Sequence, residues 1–124
     1  MKPAILLVDH GSRLPEANAQ LDELAARLRR RAPDRLIGVA HMELAPPTIA
    51  EGLAALTAAG AREVVVHPYF LGPGAHTTRD IPRLVAEAAR CHPGLRVEVS
   101  EPLGLDERLV DLVLRRVAEA EEAR

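Results

Sequence analysis

Ala4-Ile5-Leu6-Leu7-Val8 is followed at once by Asp9-His10-Gly11-Ser12-Arg13. Five consecutive apolar residues are too few for a buried helix, and they suit a strand covered on both faces. The next five residues have loop chemistry, and a helix is predicted after them over Pro15–Arg31, with Leu21, Leu24, Ala25 and Leu28 on one face. The same alternation continues down the chain. Strands are predicted at 36–40, at 63–67 around Val64-Val65-Val66, and at 96–99. Helices are predicted at 48–59, 81–90 and 106–122. Thr48 and Glu51 have capping-box spacing, Gly60 supplies a stop, and Pro82 falls in a first turn where its missing N–H is harmless. Leu109, Leu112, Val113, Arg116 and Val117 line one side of the last helix, and the Ala/Glu-rich end at 118–124 is expected to fray. Apolar strands alternating with helices define an α/β fold: a parallel sheet with helices on both faces, a three-layer sandwich. The 124 residues suffice for one domain, 1–124, with one core. Aromatic residues are only 2%, so that core must be aliphatic.

Composition removes several function classes. The formal charge is -2, and no basic run is interleaved with aromatic residues, which argues against nucleic acid as a partner. Arg29, Arg30 and Arg31 close a predicted helix, where cations complement the dipole. The single cysteine, Cys91, excludes an internal disulfide and suits a reducing compartment. The apolar run after Lys2-Pro3 is too short for a signal peptide, and no segment reaches the length of a membrane span. The expectation is a cytoplasmic protein without a membrane partner.

In an open parallel sheet, ligands bind beyond the carboxyl ends of the strands. Four of the five histidines, His10, His41, His67 and His76, fall at or just past those ends. His67, at the end of a buried strand, reads best as structural. His41 is open between orienting Glu43 and lining the cleft. Cys91-His92 lies at the opposite edge and carries no site. His10 and His76 are stronger, because each has glycine close by: Gly11 after His10, Gly72 and Gly74 before His76. Glycine allows close approach of backbone to a ligand, and a long shaped loop in a compact domain is usually functional. Neutral imidazole ligates iron, cobalt and nickel.

Asp9-His10-Gly11-Ser12-Arg13, His41-Met42-Glu43-Leu44, Phe70-Leu71-Gly72-Pro73-Gly74-Ala75-His76, Asp80-Ile81-Pro82 and Pro102-Leu103-Gly104 occur in that order over essentially the whole chain. As an ordered set they resemble the small sirohydrochlorin chelatases, the single-module members of the class II tetrapyrrole chelatases. The resemblance implies a four-stranded parallel sheet in the order 2-1-3-4, a homodimer, and insertion of a divalent metal (Fe²⁺, Co²⁺ or Ni²⁺) into sirohydrochlorin with no permanently bound cofactor. It implies that His10 and His76 hold the metal, that His10 accepts a pyrrole proton, and that Leu71, Gly72, Pro73, Gly74 and Ala75 contact the substrate. Glu43 is a further catalytic and substrate-binding candidate, as a carboxylate that relays protons. The chain departs from the pattern at Pro46, where many members carry a substrate-associated glutamate. Glu43 is the carboxylate placed to take over that role. Some plant relatives add a cysteine-rich extension for an iron-sulfur cluster, and no cluster is expected here.

The chemistry matches these residues. Metallation removes two pyrrole protons and moves the metal from water to four ring nitrogens. That requires a weak, open metal site with a base beside it, which a tight four-ligand site would not provide. Histidine exchanges protons near neutrality. Arg13 and Arg79, in the two histidine-bearing loops, suit the carboxylates around the sirohydrochlorin ring, although Asp80 beside Arg79 offers a structural ion pair instead. Gly72-Pro73-Gly74 lacks the Lys-Ser/Thr of a nucleotide loop, so the reaction reads as ATP-independent. Two other classes stand beside the enzyme. A metal or tetrapyrrole carrier would bind without turnover. A structural domain with incidental histidines would show no metal-dependent behaviour.

Overall fold

The apolar run becomes β1 (Ala4–Asp9), and it lies inside the sheet rather than at its edge. The computed structural model describes residues 2–75 and 79–124. Within them, β2 (Ile37–His41), β3 (Glu63–Pro68) and β4 (Arg96–Val99) join β1 in a sheet of order β2-β1-β3-β4. All pairs are parallel, with Ile5 opposite both Ile37 and Val65, and Val65 opposite Glu98. Leu6 and Val8 of β1 are fully buried on one face and Leu7 nearly so on the other. This two-sided burial is why the strand reads as a continuous apolar run. At the β4 edge the pattern changes to alternation: Arg96 and Glu98 are exposed, while Val97 and Val99 are half-buried.

One face of the sheet carries α1 (Pro15–Arg31), whose Leu21 and Ala25 meet Leu7 and Ile37. The other carries α2 (Ile49–Ala58) and α3 (Ile81–Ala89), with Leu53, Ile81 and Val85 against Leu6, Val8, Val64 and Val66. The core is aliphatic, as composition requires. The capping box forms: Glu51 N–H donates to Thr48 Oγ1 at 3.1 Å, and Thr48 N–H donates to Glu51 Oε1 at 2.8 Å. Gly52 lets α2 lie close to the sheet, since a Cβ there would meet the Leu6 side chain at 2.8 Å and the Ala40 Cβ at 3.2 Å. That contact explains a glycine inside a helix, where it otherwise costs about 1 kcal/mol.

α4 (Glu107–Glu122) departs from the expectation. Asp106 caps it by accepting the Arg108 N–H at 2.9 Å, and the helix runs to Glu122. Yet none of its residues is buried. The α1 layer is therefore a single helix, and the apolar side of α4 does not join the core. No helix among the described residues is long and apolar enough to cross a membrane.

Candidate functional site

The β1–β2 ladder does not stop where the strands do. Met42 N–H donates to the Asp9 carbonyl at 2.9 Å, and Glu43 N–H donates to the His10 carbonyl at 3.0 Å. The segments leaving β1 and β2 therefore stay side by side past the sheet edge. This brings His10 Nε2 within 2.9 Å of Glu43 Oε1, with side chains 41% and 53% exposed. The pair is accessible to a ligand and held by backbone rather than by burial. His10 Nδ1 lies 3.2 Å from the Gly11 carbonyl.

Beyond His10 the chain turns at Gly11, with φ 92°. Ser12 then fastens the loop to α1. Its N–H donates to Asn18 Oδ1 at 3.0 Å, its carbonyl accepts from Asn18 Nδ2 at 2.7 Å, and its Oγ accepts from Leu14 N–H at 3.0 Å. After Glu43, Leu44 adopts a left-handed backbone, φ 72°, costly for a non-glycine residue. The Pro46-Pro47 peptide is cis.

Behind the exposed pair lies a buried one. His41 Nδ1 sits 2.5 Å from Asp9 Oδ1, with side chains 3% and 22% exposed. His41 thus neither orients Glu43 nor lines the cleft, and its partner is Asp9. Asp9 and His41 are register neighbours on the two strands, and each ends its strand, so a shared place at the strand ends was the sequence signal for this pair. Asn18 had no such signal. His67 is structural, as its position suggests: its Nδ1 is 2.9 Å from Ser100 Oγ at the end of β4. Burial pushes the His67 imidazole below its ordinary pKa, and the Glu101 backbone only partly opposes this. The folded chain takes up a proton at His67 less readily than the unfolded chain. Its stability contribution is therefore complete above pH about 6.5 and declines as pH falls below that value. Urea midpoints measured from about pH 8 to pH 5 are expected to show a decline that is shallower in His67→Gln. An identical decline in both proteins would rule out His67 as its source.

β3 lies beside β1, so the loop after β3 leaves from the strand next to that of His10. Leu103 N–H donates to the Phe70 carbonyl at 3.0 Å, tying the 102–104 turn to the base of this loop. Leu71, Pro73, Gly74 and Ala75 are exposed and Gly72 is half-buried. Among the described residues, a Cβ at Gly72 or Gly74 would meet nothing within 4 Å. Arg13 is exposed, and Arg79, also exposed, lies 3.7 Å from Asp80. His76, with Thr77 and Thr78, lies outside the described residues. Among the described residues no three His, Cys, Asp or Glu side chains gather to hold a metal.

The model of the CbiX family matches residues 4–120. The chain belongs to the CbiX family. It is 40% identical over 113 residues to the chloroplastic sirohydrochlorin ferrochelatase of Arabidopsis thaliana, covering 91% of this chain and 50% of that protein. It is 35% identical over 126 residues to the sirohydrochlorin cobaltochelatase of Methanococcoides burtonii, covering 95% and 96% of the two. The sirohydrochlorin chelatase SirB of Bacillus subtilis subspecies spizizenii, solved in complex with cobalt, superposes with a TM-score of 0.89 at 34% identity. That superposition covers 96% of this chain and 51% of SirB. The chain thus spans about half the length of some relatives and nearly all of others. The parallel sheet with its 2-1-3-4 order is as the resemblance implied.

Proposed function

We propose that this chain inserts Fe²⁺ or Co²⁺ into sirohydrochlorin without nucleotide hydrolysis, in the cytoplasm, as one module of a homodimer. The observation that carries the reading is the exposed His10–Glu43 pair at the carboxyl edge of β1 and β2, in a CbiX-family chain. The Gly11 carbonyl and the Glu43 carboxylate both accept hydrogen bonds, and they face the two ring nitrogens of His10. Both contacts are satisfied together when the ring carries two protons. The pair is then a proton store open to solvent. With Nε2 unprotonated, its lone pair faces Glu43 at 2.9 Å, and a shift of that exposed carboxylate lets Nε2 meet the incoming metal or take a proton from a pyrrole N–H. Glu43 accepts the proton from His10 and, being exposed, passes it to water.

In this reading His76 is the second imidazole on the metal, and two neutral ligands hold the ion loosely enough to release it. Leu71, Gly72, Pro73, Gly74 and Ala75 lie against the macrocycle, and Arg13 and Arg79 take its carboxylates. Among the described residues nothing in the fold explains Gly72 and Gly74: neither has a positive φ, and a Cβ on either would meet none of those residues within 4 Å. The room that the described residues leave beside these backbones suits a flat ligand lying on them. Gly74→Val is therefore expected to leave the urea midpoint unchanged and raise KM for the tetrapyrrole by about 10-fold. An unchanged KM would remove the loop from the substrate site.

The test of function is anaerobic incubation of the purified protein with sirohydrochlorin and, separately, Fe²⁺, Co²⁺ and Ni²⁺, following the absorbance of the macrocycle. Multiple turnovers above the rate without protein are expected with iron or cobalt. No acceleration with any of the three metals would overturn the proposal, and tight binding without turnover would identify a carrier.

A further inference from the structure

Among the described residues His41 is the only buried polar or charged side chain. Residues two apart on a strand share a face, so His41 and Asp9 continue the face that Ile37, Val39 and Leu7 turn toward α1. An ionised carboxylate only accepts, so His41 Nδ1–H donates to Asp9 Oδ1. The core does not need this pair. It is otherwise aliphatic, and apolar residues of like volume often replace a buried ion pair with stability unchanged or raised.

The place of the pair gives it a use. It spans the last rung of the β1–β2 ladder, and the Met42 N–H to Asp9 carbonyl bond follows directly. The next bond outward runs from Glu43 N–H to the His10 carbonyl, and His10 and Glu43 make their contact there. His41 is also tied on its other side. Its N–H donates to the Pro47 carbonyl at 2.8 Å, which closes the 41–47 loop at its base. Gly11 lies against it, since a Cβ there would stand 3.1 Å from the His41 Cβ. One imidazole thus joins β1, the loop that bears Glu43 and the turn that follows His10. Leu44 in the same loop holds a left-handed backbone, a conformation that persists only where the surroundings enforce it.

We propose that Asp9 and His41 are a positioning pair, whose buried hydrogen bond fixes the separation of His10 and Glu43 without touching metal or macrocycle. This rests on the chelatase reading and adds two residues to it. A proton passes directly between heavy atoms about 2.6–3.2 Å apart. His10 and Glu43, at 2.9 Å, therefore tolerate little separation. Both are exposed, so burial does not hold them, and the constraint has to come from the rung beneath. Small misplacements of reacting groups cost rate far more than they cost stability.

The experiment compares the parent with Asp9→Ala, Asp9→Asn and Asp9→Ala/His41→Leu, each shown to be folded by its urea midpoint. The double variant removes the hydrogen bond and leaves no polar group of the pair buried, and Asp9→Ala repeats the test with His41 in place. The His10–Glu43 contact is read from the ring-nitrogen NMR signals of His10, as the shift that Glu43→Gln produces in each protein. That shift is expected to fall by at least about half in Asp9→Ala and in the double variant. Their kcat is expected to fall about 10-fold, with KM for sirohydrochlorin nearly unchanged. Asp9→Asn keeps an acceptor for Nδ1–H and is expected to recover at least about half of the parent kcat and the parent's shift. A pair that only stabilises the fold would lower the urea midpoint and leave both the shift and kcat of the folded protein intact, and that result would overturn the proposal. A parent without turnover, whose His10 shift is still lost in Asp9→Ala, would overturn the chelatase reading and leave the positioning pair standing.

Discussion

His10→Ala is expected to lower kcat/KM for metallation of sirohydrochlorin by about 100-fold or more, the usual worth of a positioned base, while the urea midpoint stays where it was. The asymmetry comes from geometry. His10 is 41% exposed, and its contacts with Glu43 and Gly11 are to an exposed carboxylate and a neighbouring carbonyl, so removing it leaves neither of them buried and unpaired. Glu43→Gln keeps the shape but can no longer take a proton, and a loss of about 10-fold is expected. Because the proposed relay passes one proton between the two side chains, their effects are not independent, and the double variant should be little worse than His10→Ala alone. Two results would count against this account. Retention of a third of the activity in His10→Ala would remove it from the chemistry. Strictly additive losses would mean that the 2.9 Å contact is not a functional pair.

The fold was legible because two periodicities never conflict. The strands at 4–8 and 63–67 are apolar without interruption through their centres, and α1 places Leu21 and Ala25 at helical spacing. Even the β4 edge announced itself, since Arg96-Val97-Glu98-Val99 alternates as a one-sided strand does. The site was legible only in part. Strand-end position singled out His10, and Glu43 came from the family pattern. What a linear reading could not supply was the continuation of the ladder into the loops, which makes partners of His10 and Glu43. It likewise treated His41 and Asp9 separately, because a hydrogen bond between neighbouring strands depends on register. The last helix shows the opposite failure. Its amphipathic pattern was plain, but amphipathicity states that a face wants burial and not which surface provides it.

Gly11→Ala should be the most damaging conservative change in the chain, and the reason is separable into two parts. Gly11 has φ 92°, where an L side chain costs about 1–2 kcal/mol. Gly60 shares that burden, with φ 107°, but a Cβ on Gly60 meets nothing within 4 Å. A Cβ on Gly11 would collide with the Glu43 carbonyl oxygen and lie 3.1 Å from the Cβ of buried His41. The first obstacle is backbone and cannot rotate away. The second belongs to a side chain held by Asp9. Overpacking of this kind adds about 1–3 kcal/mol, so Gly11→Ala should cost about 3 kcal/mol in all, while Gly60→Ala costs only the backbone part. The relief available to Gly11→Ala is to push the 41–43 segment outward, which breaks the Glu43 N–H to His10 carbonyl bond and separates the pair. Metallation should then fall by at least about 10-fold even in protein that remains folded, whereas Gly60→Ala, at the far end of α2, should leave it intact. Urea denaturation and turnover measured on both variants decide the matter. If Gly11→Ala loses no more stability than Gly60→Ala and keeps its turnover, then the close approach of the two loops is not what holds His10 against Glu43.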